Sequence, residues 1–198
     1  MSKKICIFGD SVTQGYHDLE KGGWIERLNL YLWSKDLDFS VFNLGVSGDT
    51  SFDLLERIEN EIKAREAKSI IINIGANDAG VEKGKSRTDL KTFEENFNKI
   101  LEISQKFTSE IVFVGILNVN EKFSAPVNWD ENLFYYNEEL EKYNLVIEKF
   151  CQEEKIIFIP MQGTLNDENL PDGVHPNAEG HEKIFQRIKD YLEESKII

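Results

Sequence analysis

One regularity limits what this chain can become. Five short apolar runs, residues 4–8, 39–44, 69–75, 111–116 and 156–160, alternate with longer stretches whose apolar residues recur at helical spacing. The runs are rich in Ile, Val and Phe, and most lack strict apolar/polar alternation, as strands covered on both faces do. Between them lie amphipathic stripes: Trp24, Ile25, Leu28, Tyr31 and Leu32; Leu54, Leu55, Ile58 and Ile62; Phe93, Phe97, Ile100, Leu101 and Phe107; Leu140, Tyr143, Ile147, Phe150 and Cys151; Ile184, Phe185, Ile188 and Leu192. Such stripes read as core-facing sides of helices. Strand followed by helix, five times over, predicts an α/β fold with a parallel sheet between two helical layers. No repeat, low-complexity tract or linker divides the 198 residues, a length that suits one domain, residues 1–198.

The charge balance narrows the partners. Lys and Arg number 23 and Asp and Glu 36, so the formal net charge is −13. Nucleic-acid phosphates and anionic membrane surfaces would be repelled at long range. The apolar stretch Ile5 to Phe8 stops at Gly9-Asp10, short of the roughly 7–15 residues of a secretory segment or the roughly 20 of a membrane helix. A cytoplasmic location without membrane insertion is the expectation. Cys6 and Cys151 lie far apart among apolar residues and read as buried free thiols. Oligomeric state is not legible, and a homo-oligomer stays open.

Two connections are longer than a compact domain needs. Residues 117–131 carry Pro126 and Trp129, and residues 161–175 carry Gly163, Pro171 and Gly173. Both follow strands, the fourth and the fifth, so both lie at the carboxyl edge of the sheet, where open parallel sheets bind ligands. The same edge receives Gly9-Asp10-Ser11-Val12-Thr13-Gln14-Gly15, Asn43-Leu44-Gly45-Val46-Ser47-Gly48-Asp49, Gly75-Ala76-Asn77-Asp78 and Asp172-Gly173-Val174-His175-Pro176-Asn177.

These residues suit acyl transfer, which needs a nucleophile, a base with an orienting acid, and donors for a tetrahedral oxyanion. Ser11 leaves the sheet at a strand-to-helix turn. His175 is a candidate base, with an ordinary pKa of about 6.5. Asp172 could accept the Nδ1 proton and leave Nε2 facing the serine. Oxyanion donors could be the N–H groups of Ser11 and Gly45 and the side-chain amide of Asn77. With strand order 2-1-3-4-5, the fifth strand lies about 14 Å from the first, and a 15-residue connection can span about 50 Å.

Plainer readings compete. Ser11 alone could be a helix cap, and Asp10 and Asp78 are expected to bond loop N–H groups. His17 and His181 are expected at the surface or in packing. Asp172, His175 and His181 make a poor metal set, because the gap between the histidines does not place them on one helical face; no metal is expected. A flavodoxin-like binding domain could use residues 11–15 to hold a phosphate. A response receiver would want a phosphoacceptor Asp after the third strand, which instead ends Asn73-Ile74-Gly75. Neither explains Asp172 with His175.

The four blocks Phe8-Gly9-Asp10-Ser11, Asn43-Leu44-Gly45-Val46-Ser47-Gly48, Gly75-Ala76-Asn77-Asp78 and Asp172-Gly173-Val174-His175-Pro176 resemble those of the SGNH hydrolases, also called GDSL esterases and lipases. They occur in family order along nearly the whole chain, with Val12 where the family name has Leu. The resemblance implies a three-layer flavodoxin-like fold without cofactor. It implies Ser11 as nucleophile, His175 as base, Asp172 as its orienting acid, and Ser11, Gly45 and Asn77 as the oxyanion hole. The expected activity is hydrolysis of small-molecule carboxylic esters; an acyltransferase, thioesterase or lysophospholipase could use the same triad. Asn118, Asn120, Phe123 and Trp129 are candidate substrate contacts. No extended apolar lid is visible, so short acyl esters, with acetylated carbohydrate among them, are the expected substrates.

Overall fold

The structure, a computed structural model, describes residues 2–198. Five parallel strands form the central sheet: β1 (Lys3–Gly9), β2 (Phe39–Gly45), β3 (Ser69–Asn73), β6 (Ile111–Val114) and β8 (Ile157–Ile159). Their order is β2-β1-β3-β6-β8, the expected 2-1-3-4-5. The strands lack apolar/polar alternation because both faces are covered. Cys6 and Phe8 of β1 face one helical layer, and Ile5 and Ile7 face the other. On β3, Ile70 and Ile72 join the first cluster and Ile71 the second.

The first layer holds α3 (Ser51–Arg65), α5 (Leu90–Gln105) and α7 (Asn137–Glu154). Leu54, Ile58, Phe93, Phe97, Tyr143 and Ile147 are buried there. The second layer holds α2 (Trp24–Ser34) and α8 (Ala178–Glu194), which bury Trp24, Leu28, Ile184 and Ile188. This is the three-layer arrangement the periodicity predicts. Cys6 and Cys151 are buried free thiols, each pushed up to about 12 by burial, which keeps them protonated and inert. No helix among the described residues is long and apolar enough to cross a membrane.

A second sheet is absent from the sequence reading. It consists of β4 (Val81–Glu82), β5 (Lys85–Ser86) and β7 (Leu133–Phe134), paired antiparallel in the order β5-β4-β7. Two-residue strands are too short to carry a periodic signal. Three single-turn helices complete the carboxyl edge: α1 (Ser11–Gln14), α4 (Ala76–Ala79) and α6 (Glu121–Ser124).

An internal ion pair ties the edge together. The Arg27 guanidinium on α2 donates to the Asp18 carboxylate, to the Gly23 carbonyl at 3.0 Å and to the Ala178 carbonyl at 3.0 Å. Asp18 also accepts from the N–H groups of Glu20, Lys21 and Gly23. Both residues are buried. The cluster thus joins the connection after α1 to the start of α8, two segments that meet at the site described below. Removing one partner of such a pair strands the other charge. Arg27→Ala is therefore expected to lower unfolding free energy by about 3–5 kcal/mol, read by urea denaturation; a loss below about 1 kcal/mol would contradict this role.

Candidate active site

β1 ends at Gly9 and α1 starts two residues later. A Cβ at Gly9 would lie 2.1 Å from Thr13 Oγ1 and 2.4 Å from the Asn73 carbonyl, so only glycine permits this turn. Asp10 caps α1, its Oδ1 accepting the Val12 N–H at 3.0 Å. Ser11 is the first helical residue, so its N–H has no acceptor within the helix.

Ser11 Oγ lies 2.9 Å from His175 Nε2, across 164 positions of sequence. His175 Nδ1 lies 2.7 Å from Asp172 Oδ2. The other oxygen, Asp172 Oδ1, accepts the N–H groups of Val174 at 2.9 Å and His175 at 2.7 Å. Burial pushes the Asp172 carboxyl up, but hydrogen bonds from the His175 ring and from those two N–H groups outweigh it and hold the group down at about 2. An ionised carboxylate only accepts, so Nδ1 carries the imidazole proton and Nε2 is free to receive one from Ser11. All three residues are buried at the floor of a cleft of about 690 Å³.

One of the three candidate oxyanion donors is placed away from the cleft. The Gly45 N–H is committed to Asn43 Oδ1 at 3.0 Å. A Cβ at Gly45 would lie 2.3 Å from the Gln14 backbone nitrogen. Gly45 thus serves close packing of β2 against α1, and it does not line the cleft. Gly48 does. It has φ +87° with open space where a Cβ would be, and its N–H makes no hydrogen bond among the described residues. Asn77 lines the cleft as expected. Its Nδ2 donates to the Asp49 carbonyl at 3.0 Å and its Oδ1 accepts from the Tyr135 hydroxyl at 2.7 Å, which fixes the amide and leaves its second N–H for a ligand.

His17 is exposed, as expected, but it also reaches the site: its Nε2 lies 3.1 Å from Asp172 Oδ2, the oxygen that also faces His175. Gly15 at φ +94° and His17 at φ +66° turn the chain back over the site, a path helical periodicity does not foretell. His181 is a buried packing residue, with Nε2 3.0 Å from the Tyr16 carbonyl. Asp78 accepts the Ser51 N–H at 2.9 Å and the Ser51 hydroxyl at 2.6 Å, the structural part expected of it.

Of the four candidate substrate contacts, Trp129 lines the cleft, its ring centroid 5.1 Å from that of His175. The other three are placed elsewhere. Asn120 caps α6 and its N–H donates to the Gly173 carbonyl at 2.8 Å. Phe123 projects from α6 half-exposed. Asn118 lines an adjoining cavity of about 30 Å³. Sequence reasoning missed Tyr16, Arg87 and Tyr135, all of which line the cleft; Arg87 and Tyr135 flank the short strands that it also missed.

A model of the GDSL-like lipase/acylhydrolase family matches residues 7–183. The chain belongs to that family. Among curated relatives, the arylesterase of Vibrio mimicus is 24% identical over 196 residues, covering 96% of this chain and 88% of that protein. The thioesterase 1/protease 1/lysophospholipase L1 of Escherichia coli K12 is 25% identical, with 96% and 83% covered. The uncharacterized lipoprotein YqeF of Bacillus subtilis is 27% identical over 139 residues, and the match spans about half (54%) of its length. Among solved structures, the acetylxylan esterase Axe2 of Geobacillus stearothermophilus superposes with a TM-score of 0.78 at 18% identity, covering 96% of this chain and 94% of that one. At that identity the likeness speaks for the fold. By family, this GDSL-like hydrolase is an enzyme of the carboxylic ester hydrolase class.

Asp10 and Asp172 respond oppositely to the same cleft. Burial pushes the Asp10 carboxyl up to about 6, against the pull of the Val12 N–H and the His175 ring. The folded state therefore holds a proton that the unfolded chain has released, and stability should fall as pH rises from the ordinary 3.8 to about 6. Asp10→Asn keeps an acceptor for Val12 and removes the titration. Its unfolding free energy should lack a decline on the order of 2–3 kcal/mol that the parent shows across that window. Parallel pH profiles for the two proteins would contradict the assignment.

Proposed function

We propose that this protein is a serine esterase that removes short acyl groups, acetyl foremost, from small polar alcohols, with acetylated sugars as the best-fitting substrates. The observation that carries the proposal is the relay of 2.9 Å and 2.7 Å from Ser11 through His175 to Asp172. In the mechanism, Ser11 Oγ attacks the ester carbonyl carbon while His175 Nε2 takes its proton. Asp172 stabilises the imidazolium. The oxyanion collects hydrogen bonds from the N–H groups of Ser11 and Gly48 and from Asn77 Nδ2. Collapse expels the alcohol, which receives the proton from His175. Water then repeats the sequence on the acyl-enzyme, releasing the acid and restoring Ser11.

The space available supports a short acyl group. A cavity of about 30 Å³ adjoins the cleft and shares Asp10, Val12, Ala76, Tyr135 and Val174 with it, a space far smaller than the cleft itself and on the scale of a few atoms. A methyl group fits that scale and an alkyl chain does not. On the alcohol side, the half-exposed Trp129 ring and the polar Asn128 and Asp130 suit a sugar, which offers an apolar face and hydroxyls. The acetylxylan esterase among the structural neighbours agrees with that choice.

Ser11→Ala should lower kcat by about 10⁴–10⁶-fold with an unchanged unfolding curve, and intact-mass spectrometry should find an organophosphonate adduct on the parent and none on the variant. An active, folded parent without an adduct would overturn the nucleophile. Across p-nitrophenyl acetate, butyrate and octanoate, kcat/KM should fall by about tenfold or more, and acetylated xylose should release acetate. A rise with chain length would overturn the short-acyl assignment.

A further inference from the structure

The mechanism uses one imidazole, yet two converge on the same carboxylate oxygen. His175 Nδ1 lies 2.7 Å and His17 Nε2 3.1 Å from Asp172 Oδ2. One ligand-capable atom from each of the three residues falls within 4.8 Å of the others. We propose that His17, Asp172 and His175 form a binding site for a late first-row divalent cation, Zn²⁺ in particular, whose occupancy switches the esterase off.

The donor set selects the ion. Two imidazole nitrogens and one carboxylate oxygen suit Zn²⁺, whereas Mg²⁺ and Ca²⁺ prefer sites built from oxygen. Tetrahedral zinc bonds of about 2.0–2.2 Å set neighbouring donors about 3.3–3.6 Å apart, so the exposed His17 ring need shift by only a few tenths of an ångström, whereas the closer His175 ring and Asp172 carboxylate must separate to admit the ion. Their positions are otherwise supported. Asp172 and His175 are 7% and 8% exposed, and Asp172 Oδ1 is pinned by the Val174 and His175 N–H groups, the outer-shell support that fixes a metal ligand. His17 holds φ +66°, an uncommon backbone for a side chain beyond glycine, and this turn aims it at Asp172. The cleft mouth leaves a fourth position to water. A net charge of −13, with Asp10, Glu82 and Asp130 along the cleft, favours the approach of a cation.

Inhibition follows from the tautomer, and this consequence rests on the proposed role of His175 as base. Coordination through Nδ1 uses that nitrogen's lone pair, so the single proton of the neutral ring moves to Nε2. Nε2–H then donates to Ser11 Oγ and cannot accept the hydroxyl proton. The proton count of His175 is unchanged, Asp172 stays anionic, and Ser11 loses its base while the cleft stays open.

Isothermal titration of ZnCl₂ into the full chain, alongside inhibition of p-nitrophenyl acetate hydrolysis, tests the site. The parent and Ser11→Ala should each bind one zinc with the same affinity, and chelation should restore the parent's activity. Co²⁺ should give the visible absorption of a four-coordinate site, and Mg²⁺ should do nothing. Loss of an outer-shell partner already costs about 10- to 100-fold in metal affinity, so His17→Ala and His17→Gln should each weaken zinc binding by at least about tenfold; the glutamine keeps an N–H for Asp172 without the imidazole. Equal zinc binding by the parent and both variants, or no saturable binding, would overturn the proposal. Zinc binding by an inactive parent would sink the catalytic reading and leave the site standing. An active parent that ignores zinc would sink the site alone.

Discussion

The arrangement depends on a 2.9 Å hydrogen bond between residues that begin far apart. Ser11 leaves β1 in the interior of the sheet, whereas His175 follows β8 at its edge. The connection between β8 and α8 must therefore run back across the carboxyl ends of two strands. Several contacts hold it there. Gly173 packs so closely on α6 that a Cβ would lie 2.6 Å from the Ser124 nitrogen, and its φ of +93° also demands glycine. Asn120 donates to the Gly173 carbonyl, and the Asn177 N–H donates to the Asn169 carbonyl at 2.9 Å. The residues that place His175 thus mostly lie outside the cleft.

What could be seen in the sequence divides along a physical line. The sheet order and both helical layers were legible, because burial on two faces leaves uninterrupted runs such as Ile70–Ile72 and repeating stripes such as Phe93, Phe97 and Ile100. That Ser11, Asp172 and His175 come together was legible because their segments gather at the carboxyl edge of the sheet and resemble the blocks of one hydrolase family. The choice between Gly45 and Gly48 was not. Gly45 closes β2 and Gly48 lies three residues on; they differ in which N–H is already bonded and in which lines the cleft, facts set by Asn43 and by the packing of α1. The approach of His17 was hidden for a similar reason, since it depends on left-handed backbone at Gly15 and at His17 itself. Asn118, Asn120 and Phe123 share the connection that carries Trp129, but Asn118 faces a side cavity, Asn120 caps α6 and Phe123 projects from it half-exposed.

Two carboxylates in one cleft show how position decides chemistry. Asp172 has four donors aimed at its oxygens, counting His17, and stays ionised in acid. Asp10 is raised chiefly by burial, with one backbone N–H to offset it, and Asp78 and Asp49 nearby add a smaller cost to its charge. The first can support a cation on His175 throughout the neutral range, and the second cannot be assumed charged below about pH 6.

Asp172 and His175 sit on one four-residue turn whose own backbone N–H groups grip the carboxylate. Their mutual geometry is therefore local and owes little to the sheet beneath. If the turn lifted away from Ser11, the two would leave together, still correctly paired and still in the right tautomer. Such a displacement would silence proton transfer without dismantling the apparatus, and resettling the turn would restore it in a single motion.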